Sequence, residues 1–391
     1  MGSEMCIRDS LRRTRAASCT VHEPDMAPPY PRWSVSMSIL FSPLNLRGLT
    51  ARNRLWVTPM CQYSAVDGVP QEWHHTHLAQ FASGGAGIVI AEATAVSPAA
   101  RISPEDTGLW DDAQTAAWTP IVAAIRARGA LAGVQLAHAG RKASTWSPFS
   151  GHRGSVPPDQ GGWTTVAPSA VAFDGFAEPI ELDAAAIDAI VHDFGAAAGR
   201  ATEAGFQLLE IHAAHGYLLH QFLSPLSNLR DDEYGGSLEN RARLLLRIVD
   251  AVRDAAPDAP LFVRFSASDW AEGGWDVEET ATVARWASER GADFFDISSG
   301  GLVAHQNIIA GPGYQVGFAA AVRRGAGVPV SAVGLITDAA QAEQLLAAGE
   351  ADAVFAGREW LRDPHFALRA ASELGAEVDY WPKQYVRARR A

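Results

Sequence analysis

Residues 207–217 read Gln-Leu-Leu-Glu-Ile-His-Ala-Ala-His-Gly-Tyr. The stretch opens with a short apolar run and ends with three functional side chains, His212, His215 and Tyr217. A continuous apolar run of this length is typical of a strand in a parallel sheet that is covered on both faces. Functional groups in such sheets collect at the carboxyl ends of the strands. We therefore expect two imidazoles and a phenol there, which is suited to reducing a polarised double bond if a hydride donor binds nearby.

Similar apolar runs recur along the chain. Including the one above, candidate strands lie at residues 55–58, 87–91, 132–136, 208–212, 261–265, 294–298, 329–333 and 353–356. Apolar residues at a helical period separate them, as at residues 184–203, 238–255, 278–290 and 338–348. Gly205, Gly291 and Gly349 follow helical segments, where a left-handed cap favours glycine. Eight strand-then-helix units over about 330 residues predict an α/β fold, the (β/α)₈ TIM barrel.

Two segments depart from a minimal barrel. Residues 41–53 resemble a short N-terminal hairpin that would close the bottom of the barrel. Residues 143–181 form a long insertion after the third strand, where it would lie over the mouth as a cap or remain a disordered loop. Its large aromatic side chains favour an ordered cap, and they are Trp146, Phe149, Trp163, Phe173 and Phe176.

Composition narrows the class of protein. The chain has 391 residues, 48% hydrophobic, so it can bury a large core. Its net charge of −12 argues against nucleic-acid binding. Three scattered cysteines cannot build a disulfide framework, and no apolar run approaches a membrane span of about 20 residues, so we expect a cytoplasmic protein. We expect residues 1–36 to be an unstructured or artefactual extension, and residues 37–391 to be a single barrel domain.

The last two candidate strands predict a phosphate site. They end at Gly334 and at Gly357-Arg358. Loops in these positions of a barrel commonly hold phosphate through backbone N–H groups. Glycine permits close approach of the phosphate, and arginine offers it two parallel hydrogen bonds.

Other strand ends bring polar groups to the same mouth. Gln135 can both donate and accept, as the pyrimidine edge of a flavin requires. Arg264 lies in an apolar strand, where it could form a buried ion pair with Glu210 or Asp296, or could face an electron-rich ring. Further candidates at strand ends are Thr58, Pro59, Met60, Cys61, Tyr63 and Ala93.

The histidine pair admits three interpretations. His212 and His215 could bind a carbonyl oxygen, could ligate zinc in a metal-dependent hydrolase or lyase barrel, or could be structural. No HExxH helix is present, which argues against the metal. Tyr217 should be protonated at neutral pH, because the reference pKa of a phenol is about 10.

Several motifs resemble those of one known family. They are TPMCQY at 58–63, QLAHAGRK at 135–142, EIHAAHGYL at 210–218, FLSPLSN at 222–228, DEYGGS at 232–237 and GREWLRDP at 357–364. Together they resemble the Old Yellow Enzyme family of FMN-dependent ene-reductases. The resemblance is strongest to the thermophilic-like branch, which contains bacterial NADPH dehydrogenases and xenobiotic reductases.

The resemblance implies a cofactor site and a reaction. FMN would lie on the barrel mouth, held by Thr58, Pro59, Met60, Cys61, Ala93, Gln135, Arg264, Gly334, Gly357 and Arg358. His212 and His215 would bind the activating oxygen of an α,β-unsaturated carbonyl or nitro compound, with Tyr63 opposite and Cys61 touching the substrate. Tyr217 would protonate the α-carbon as the flavin delivers hydride to the β-carbon. NADPH or NADH would reduce the flavin in the same pocket, so turnover would be ping-pong.

The resemblance also implies an assembly. Members of this branch insert a C-terminal arginine or aromatic residue into the neighbouring active site. The tail Gln384-Tyr385-Val386-Arg387 matches that pattern. We therefore expect a homodimer or homotetramer in which Arg387 acts on the substrate site of the partner.

Overall fold

The computed structural model describes residues 38–389, and their strands close into a barrel. In chain order the strands are β1 (Leu44–Leu46), β2 (Leu49–Ala51), β3 (Leu55–Val57), β4 (Ile88–Ala95), β5 (Leu131–Ala137), β6 (Val166–Ala167), β7 (Ile180–Glu181), β8 (Leu208–Ala213), β9 (Leu261–Ser266), β10 (Phe294–Ser298), β11 (Val330–Ala332) and β12 (Ala353–Ala356). The barrel takes β3, β4, β5, β8, β9, β10, β11 and β12 in that order, all parallel, and β12 pairs with β3 to close it. The predicted (β/α)₈ barrel is therefore confirmed.

Helices connect successive strands and cover the outside of the barrel. They are α1 (Glu72–Ser83), α2 (Asp112–Arg126), α3 (Ala184–Glu203), α4 (Leu218–Leu223), α5 (Leu238–Ala255), α6 (Val277–Glu289), α7 (Val316–Ala326), α8 (Ala339–Ala347), α9 (Arg358–Arg362) and α10 (Phe366–Glu373). Side-chain caps fix several of their starts. Asp183 accepts from the Ala186 N–H before α3, and Ser237 accepts from the Asn240 N–H before α5. None of the helices within residues 38–389 is long and apolar enough to cross a membrane.

Most predicted boundaries agree with the structure, and one strand differs. The second barrel strand was predicted to end at residue 91, but β4 continues to Ala95. Polar Glu92 and Thr94 interrupt the apolar run, yet both are buried, and pairing with β5 resumes after a bulge between Ala91 and Ala93. The polar residues ended the apolar run on which the prediction was based, and the bulge re-aims the side chains beyond it.

The floor of the barrel is aromatic. Inward positions of four strands carry Trp56, Phe262, Phe294 and Phe355, with ring centroids 4.7–6.0 Å apart. The antiparallel hairpin of β1 and β2 adds buried Leu46 and Ala51 to this cluster. The predicted hairpin is therefore the plug at the amino-terminal end of the strands.

Above the aromatic floor the inward positions become polar. On β8, β9 and β10, the next inward position holds an ionisable side chain, and together these side chains form a buried charged layer of Glu210, Arg264 and Asp296. Two residues further along the same strands, the inward positions hold His212, Ser266 and Ser298. This alternation follows from the period of two in a strand. It directs the polar side chains of different strands to one opening.

The insertion after β5 is an ordered cap. β6 and β7 pair within it, and the Trp163 indole donates to the Ala99 carbonyl at 3.0 Å. Arg141, just before the insertion, donates to the Val171 carbonyl at 3.0 Å, and the Phe149 and Tyr63 rings pack edge to face with centroids 6.0 Å apart. The predicted extension, residues 1–36, lies outside the described residues.

Candidate active site

The loop that follows β8 brings His212, His215 and Tyr217 together. The centroid of the His212 ring lies 5.1 Å from that of His215 and 5.0 Å from that of Tyr217, in both cases edge to face. His215 adopts a left-handed backbone with φ of 59°, and Gly216 follows with φ of 73°. A side-chain-bearing residue in this region is strained, so the surrounding structure must hold it there.

Hydrogen bonds to the backbone fix this loop. The His215 N–H donates to Ser266 Oγ at 2.9 Å, and the Gly216 N–H donates to His220 Nδ1 at 2.9 Å. His220 Nε2 lies 2.8 Å from Asp269 Oδ1, and both side chains are fully buried. A histidine whose one nitrogen accepts and whose other faces a carboxylate has a fixed ring orientation. The His220–Asp269 pair therefore holds the backbone of the loop in place at Gly216.

Hydrogen bonds to His212 and His215 also determine which ring nitrogen each histidine can offer to a ligand. His212 Nδ1 accepts from the Ala214 N–H at 3.2 Å, which leaves the proton on Nε2. His215 Nε2 lies 2.8 Å from Ser298 Oγ. Burial, and then the nearby charge of Arg264, lower the pKa of both histidines well below the usual value, so both are neutral at pH 7.

Three neighbouring acids keep their protons. Burial raises the pKa of the Tyr217 phenol well above its usual value, and Cys61, Tyr63 and Asp106 raise it further. Burial likewise raises the pKa of the Tyr63 phenol and of the Cys61 thiol. Cys61 is therefore a neutral thiol at pH 7, with no activation as a nucleophile.

Beneath this group lies the charged layer. Arg264 Nε is 3.0 Å from Asp296 Oδ2, and Arg264 Nη1 donates to Thr58 Oγ1 at 2.9 Å. The Gln135 amide donates to Glu210 Oε1 at 2.7 Å. Burial, with Asp296 close by, raises the pKa of Glu210 to about 8. The buried ion pair predicted for Arg264 exists, with Asp296 as the partner.

A cavity of about 280 Å³ lies between the loops after β11 and β12, lined by Gly334, Gly357 and Arg358 and also by Thr58 and Ser298. Gly334 has φ of 117°, which favours glycine, and a Cβ atom on Gly357 would make a tight contact of 3.0 Å with Thr58 Cγ2. Within residues 38–389, the Arg358 side chain makes no hydrogen bond or ion pair, which leaves it available to an anion. A larger groove of about 640 Å³, lined by residues of α3, α5 and α6, contains none of these side chains.

The predicted residues are thus largely collected at one end of the barrel, on or just after its strands. Ala93 and Gln135 are directly paired on β4 and β5, while Pro59, Met60 and Cys61 follow β3. Arg387 is the exception. It lies in an exposed short helix, residues 383–388, whose Tyr385 ring packs on His365 at 5.3 Å.

Sequence reasoning missed several residues that shape the site. Ser298, His220 and Asp269 lie outside the quoted motifs, and Lys142 ends one of them without any pattern that signals its contacts. Ser298 alone could have been found, because it occupies the last position of a predicted strand. Among residues 38–389, no group of three or more His, Cys, Asp or Glu side chains is placed to hold a metal ion.

Comparisons with known proteins identify the family of this chain. Residues 39–377 match the model of the NADH:flavin oxidoreductase / NADH oxidase family. The chain is 47% identical over 355 residues to the NADPH dehydrogenase of Listeria monocytogenes, covering 90% of this chain and 99% of the relative. It is 45% identical over 351 residues to the NADPH dehydrogenase of Bacillus subtilis, covering 89% of this chain and 98% of that one.

A solved structure extends the likeness to the fold. Morphinone reductase matches with a TM-score of 0.73 and 32% identity, covering 89% of this chain and 92% of that one. That enzyme has also been solved in complex with tetrahydroNAD. This chain therefore belongs to the NADH:flavin oxidoreductase / NADH oxidase family, the Old Yellow Enzyme family, and is an FMN-dependent oxidoreductase that uses NADH or NADPH.

Proposed function

We propose that this enzyme reduces the activated C=C bond of α,β-unsaturated carbonyl compounds, and of nitro compounds, with NADPH or NADH as the reductant. One observation carries the proposal. Two neutral imidazoles and a protonated phenol, His212, His215 and Tyr217, lie side by side at the barrel mouth. Such a set can hold a substrate oxygen and deliver a proton beside it.

The residues of the mouth fit FMN. Gly334, Gly357 and Arg358 line a cavity with room for a phosphate, and Arg358 would pair with it. Thr58 to Cys61, Ala93, Gln135 and Arg264 would hold the isoalloxazine ring. Gln135 has an amide oriented by Glu210, and Arg264 is a fixed cation beside Thr58. FMN bound by these residues would supply the hydride chemistry that connects NADPH or NADH to the substrate.

His212 and His215 would stabilise the substrate oxygen. His212 would donate from Nε2, since its Nδ1 already accepts from the backbone. Ser298 Oγ is 2.8 Å from His215 Nε2 but 3.4 Å from Gln315 Oε1, which favours a hydroxyl that donates to His215. His215 would then donate from Nδ1. Negative charge grows on the oxygen as the C=C bond is reduced, so each donor would contribute on the order of 3 kcal/mol in the transition state.

Tyr217 would be the proton donor. Its raised pKa keeps the phenol protonated at neutral pH, and its ring packs against His212, which would bind the same substrate. A proton held beside the oxygen-binding pair is suited to reach the α-carbon. General acids of this kind accelerate reactions by about 10²–10⁴.

The same opening would serve both substrates. Tyr63 and Cys61 follow β3. Tyr63 has a left-handed backbone conformation, with φ of 49°, which the surrounding structure must hold in place. Because the described residues place one such histidine pair at the barrel mouth, the nicotinamide and the enone would occupy the opening in turn, and turnover would be ping-pong. We also propose a homodimer or homotetramer in which Arg387 reaches the site of the partner subunit, because in its own chain it lies in an exposed terminal helix.

The variant Tyr217→Phe tests the proposal. It keeps the ring packing with His212 and removes only the hydroxyl. Assayed under nitrogen with NADPH and cyclohexenone, it should lose about 10²–10⁴ in turnover. Its NADPH oxidation with oxygen should persist. The matched control is Tyr234→Phe, a buried tyrosine whose hydroxyl accepts from Arg247 and not from the mouth. Full enone turnover in Tyr217→Phe would remove Tyr217 from this role, and absence of enone turnover in the wild type would refute the proposed reaction.

A further inference from the structure

Lys142 joins two loops of the candidate active site. It ends the short helical turn Gly140–Lys142 that follows β5. Its ammonium donates to the His215 carbonyl at 2.8 Å and to the Gly301 carbonyl at 2.9 Å. It also lies 5.2 Å from the centroid of the Tyr217 ring. One cation therefore contacts the loop after β8 and the loop after β10.

The two loops meet at unusually close range. A Cβ atom on Gly216 would lie 2.2 Å from the Gly301 carbonyl oxygen, and one on Gly301 would lie 2.7 Å from His215 backbone atoms. Both glycines have positive φ, 73° and 93°. This approach brings two carbonyl oxygens to the same point, where each requires a donor. Lys142 supplies both hydrogen bonds.

The choice of lysine at this position is informative. The chain has 32 lysines and arginines together, of which only Lys142 and Lys383 are lysines. A guanidinium is a planar fork, whereas an ammonium is compact and can aim its donors at converging acceptors. The adjacent Arg141 shows the other geometry, because its two terminal nitrogens donate to separate carbonyls, Nη1 to that of Val171 and Nη2 to that of Leu302.

We propose that Lys142 is a positioning residue for the reaction, which holds His215 and Tyr217 in place by joining their loop to Gly301. The inference rests on the proposed function, because it assigns those two residues to substrate binding and proton donation. The ammonium has a second effect through its charge. It adds to burial and to Arg264 in lowering the pKa of His212 and of His215, which favours the neutral imidazoles. Burial, with Arg141 next to it, lowers the pKa of Lys142 itself to about 8.

The test compares Lys142→Met, which removes the charge and the donors, with Lys142→Gln, which keeps donors, and Lys142→Arg, which keeps the charge. Lys383→Met, at the exposed second lysine, is the matched control. Each holoenzyme is titrated with 4-chlorophenol, whose binding is followed by the charge-transfer absorbance with the flavin. The rate of reoxidation by cyclohexenone and the rate of reoxidation by oxygen are then measured on the NADPH-reduced enzymes.

In Lys142→Met, loss of both hydrogen bonds should weaken 4-chlorophenol binding by about tenfold or more, and slow the reaction with cyclohexenone at least as much. Reoxidation by molecular oxygen should change little, since O₂ does not need to bind to His212 and His215. Lys142→Arg or Lys142→Gln should recover part of the loss. Unchanged binding and enone rates in Lys142→Met would overturn the inference. So would equal losses in the enone and oxygen reactions of all three variants, because that pattern indicates general damage. A wild type that reacts with neither phenol nor enone would instead refute the proposed function.

Discussion

Ser298→Ala is the sharpest test of how the histidine pair is oriented. The Ser298 hydroxyl lies 2.8 Å from His215 Nε2, and the serine is buried at the end of β10. If this hydroxyl donates to Nε2, it fixes the tautomer in which His215 Nδ1 carries the proton. Removing it leaves the imidazole free to place its proton on the wrong nitrogen.

The expected decrease in kcat/KM follows from the free energy that each kind of lost interaction contributes. A neutral hydrogen bond contributes about 0.5–1.5 kcal/mol, which is roughly a factor of 2 to 12 in an equilibrium or a rate. Removing an oxyanion donor altogether costs about 2.7–4 kcal/mol, or 10²–10³. We therefore expect Ser298→Ala to lower kcat/KM for cyclohexenone by about 2- to 12-fold, and His215→Ala to lower it by at least about 100-fold.

A double-mutant cycle separates this role from a role in cofactor binding. Ser298 also lines the cavity proposed for the phosphate end of FMN. If Ser298 acts through His215, adding Ser298→Ala to His215→Ala should cause almost no further loss. The control is Ser299→Ala, since Ser299 donates to Gln315 at 2.6 Å and makes no hydrogen bond to His215 within residues 38–389. An undiminished effect of Ser298→Ala in the His215→Ala background would refute the orientation argument.

Three further outcomes are expected. Leu46→Ala, in the hairpin plug, should lower the free energy of unfolding by about 2–5 kcal/mol in urea denaturation. The kcat per bound FMN should stay unchanged, and a loss of kcat would show that the plug contributes to catalysis. Gly216→Ala should lower both the melting temperature and enone turnover, because its Cβ would clash with the Gly301 carbonyl; wild-type values would contradict the close approach. Glu210 has a folded pKa of about 8, above its unfolded value, so its contribution to stability is present at low pH and is lost as pH rises from about 4.5 through 8. Glu210→Gln should therefore show a shallower decline of stability across that range, and an unchanged slope would contradict the raised pKa.

Periodicity made the fold predictable. Strands buried on both faces give apolar runs, and helices on the outside give a period near 3.6, so α3 and α5 were predicted with the boundaries that the structure has. The end of β4 was predicted wrongly, because Glu92 and Thr94 are polar and yet buried. Their burial depends on partners that are distant in the chain, such as His74, 2.8 Å from Glu92, and no local pattern records such a partner.

The candidate site was predictable only in part, for a related reason. Residues that end strands must meet at the barrel mouth, so His212, Gln135, Arg264 and Gly357 could be grouped from the sequence. The residues that hold them could not. Lys142 acts on backbone carbonyls, which carry no sequence signature, and it does not end a strand. His220 and Asp269 meet across 49 positions of the chain, and nothing local connects them.

The charged layer explains how one barrel end can be both buried and reactive. Glu210, Arg264 and Asp296 lie beneath the mouth, and three charges there without compensation would be costly. Burial and the nearby Asp296 raise the pKa of Glu210, which favours its neutral form, while Arg264 lies 3.0 Å from the Asp296 carboxylate. A negative charge that develops above this layer then meets the Arg264 cation without opposition from Glu210. The layer can thus favour an anion at the mouth while remaining close to neutral itself.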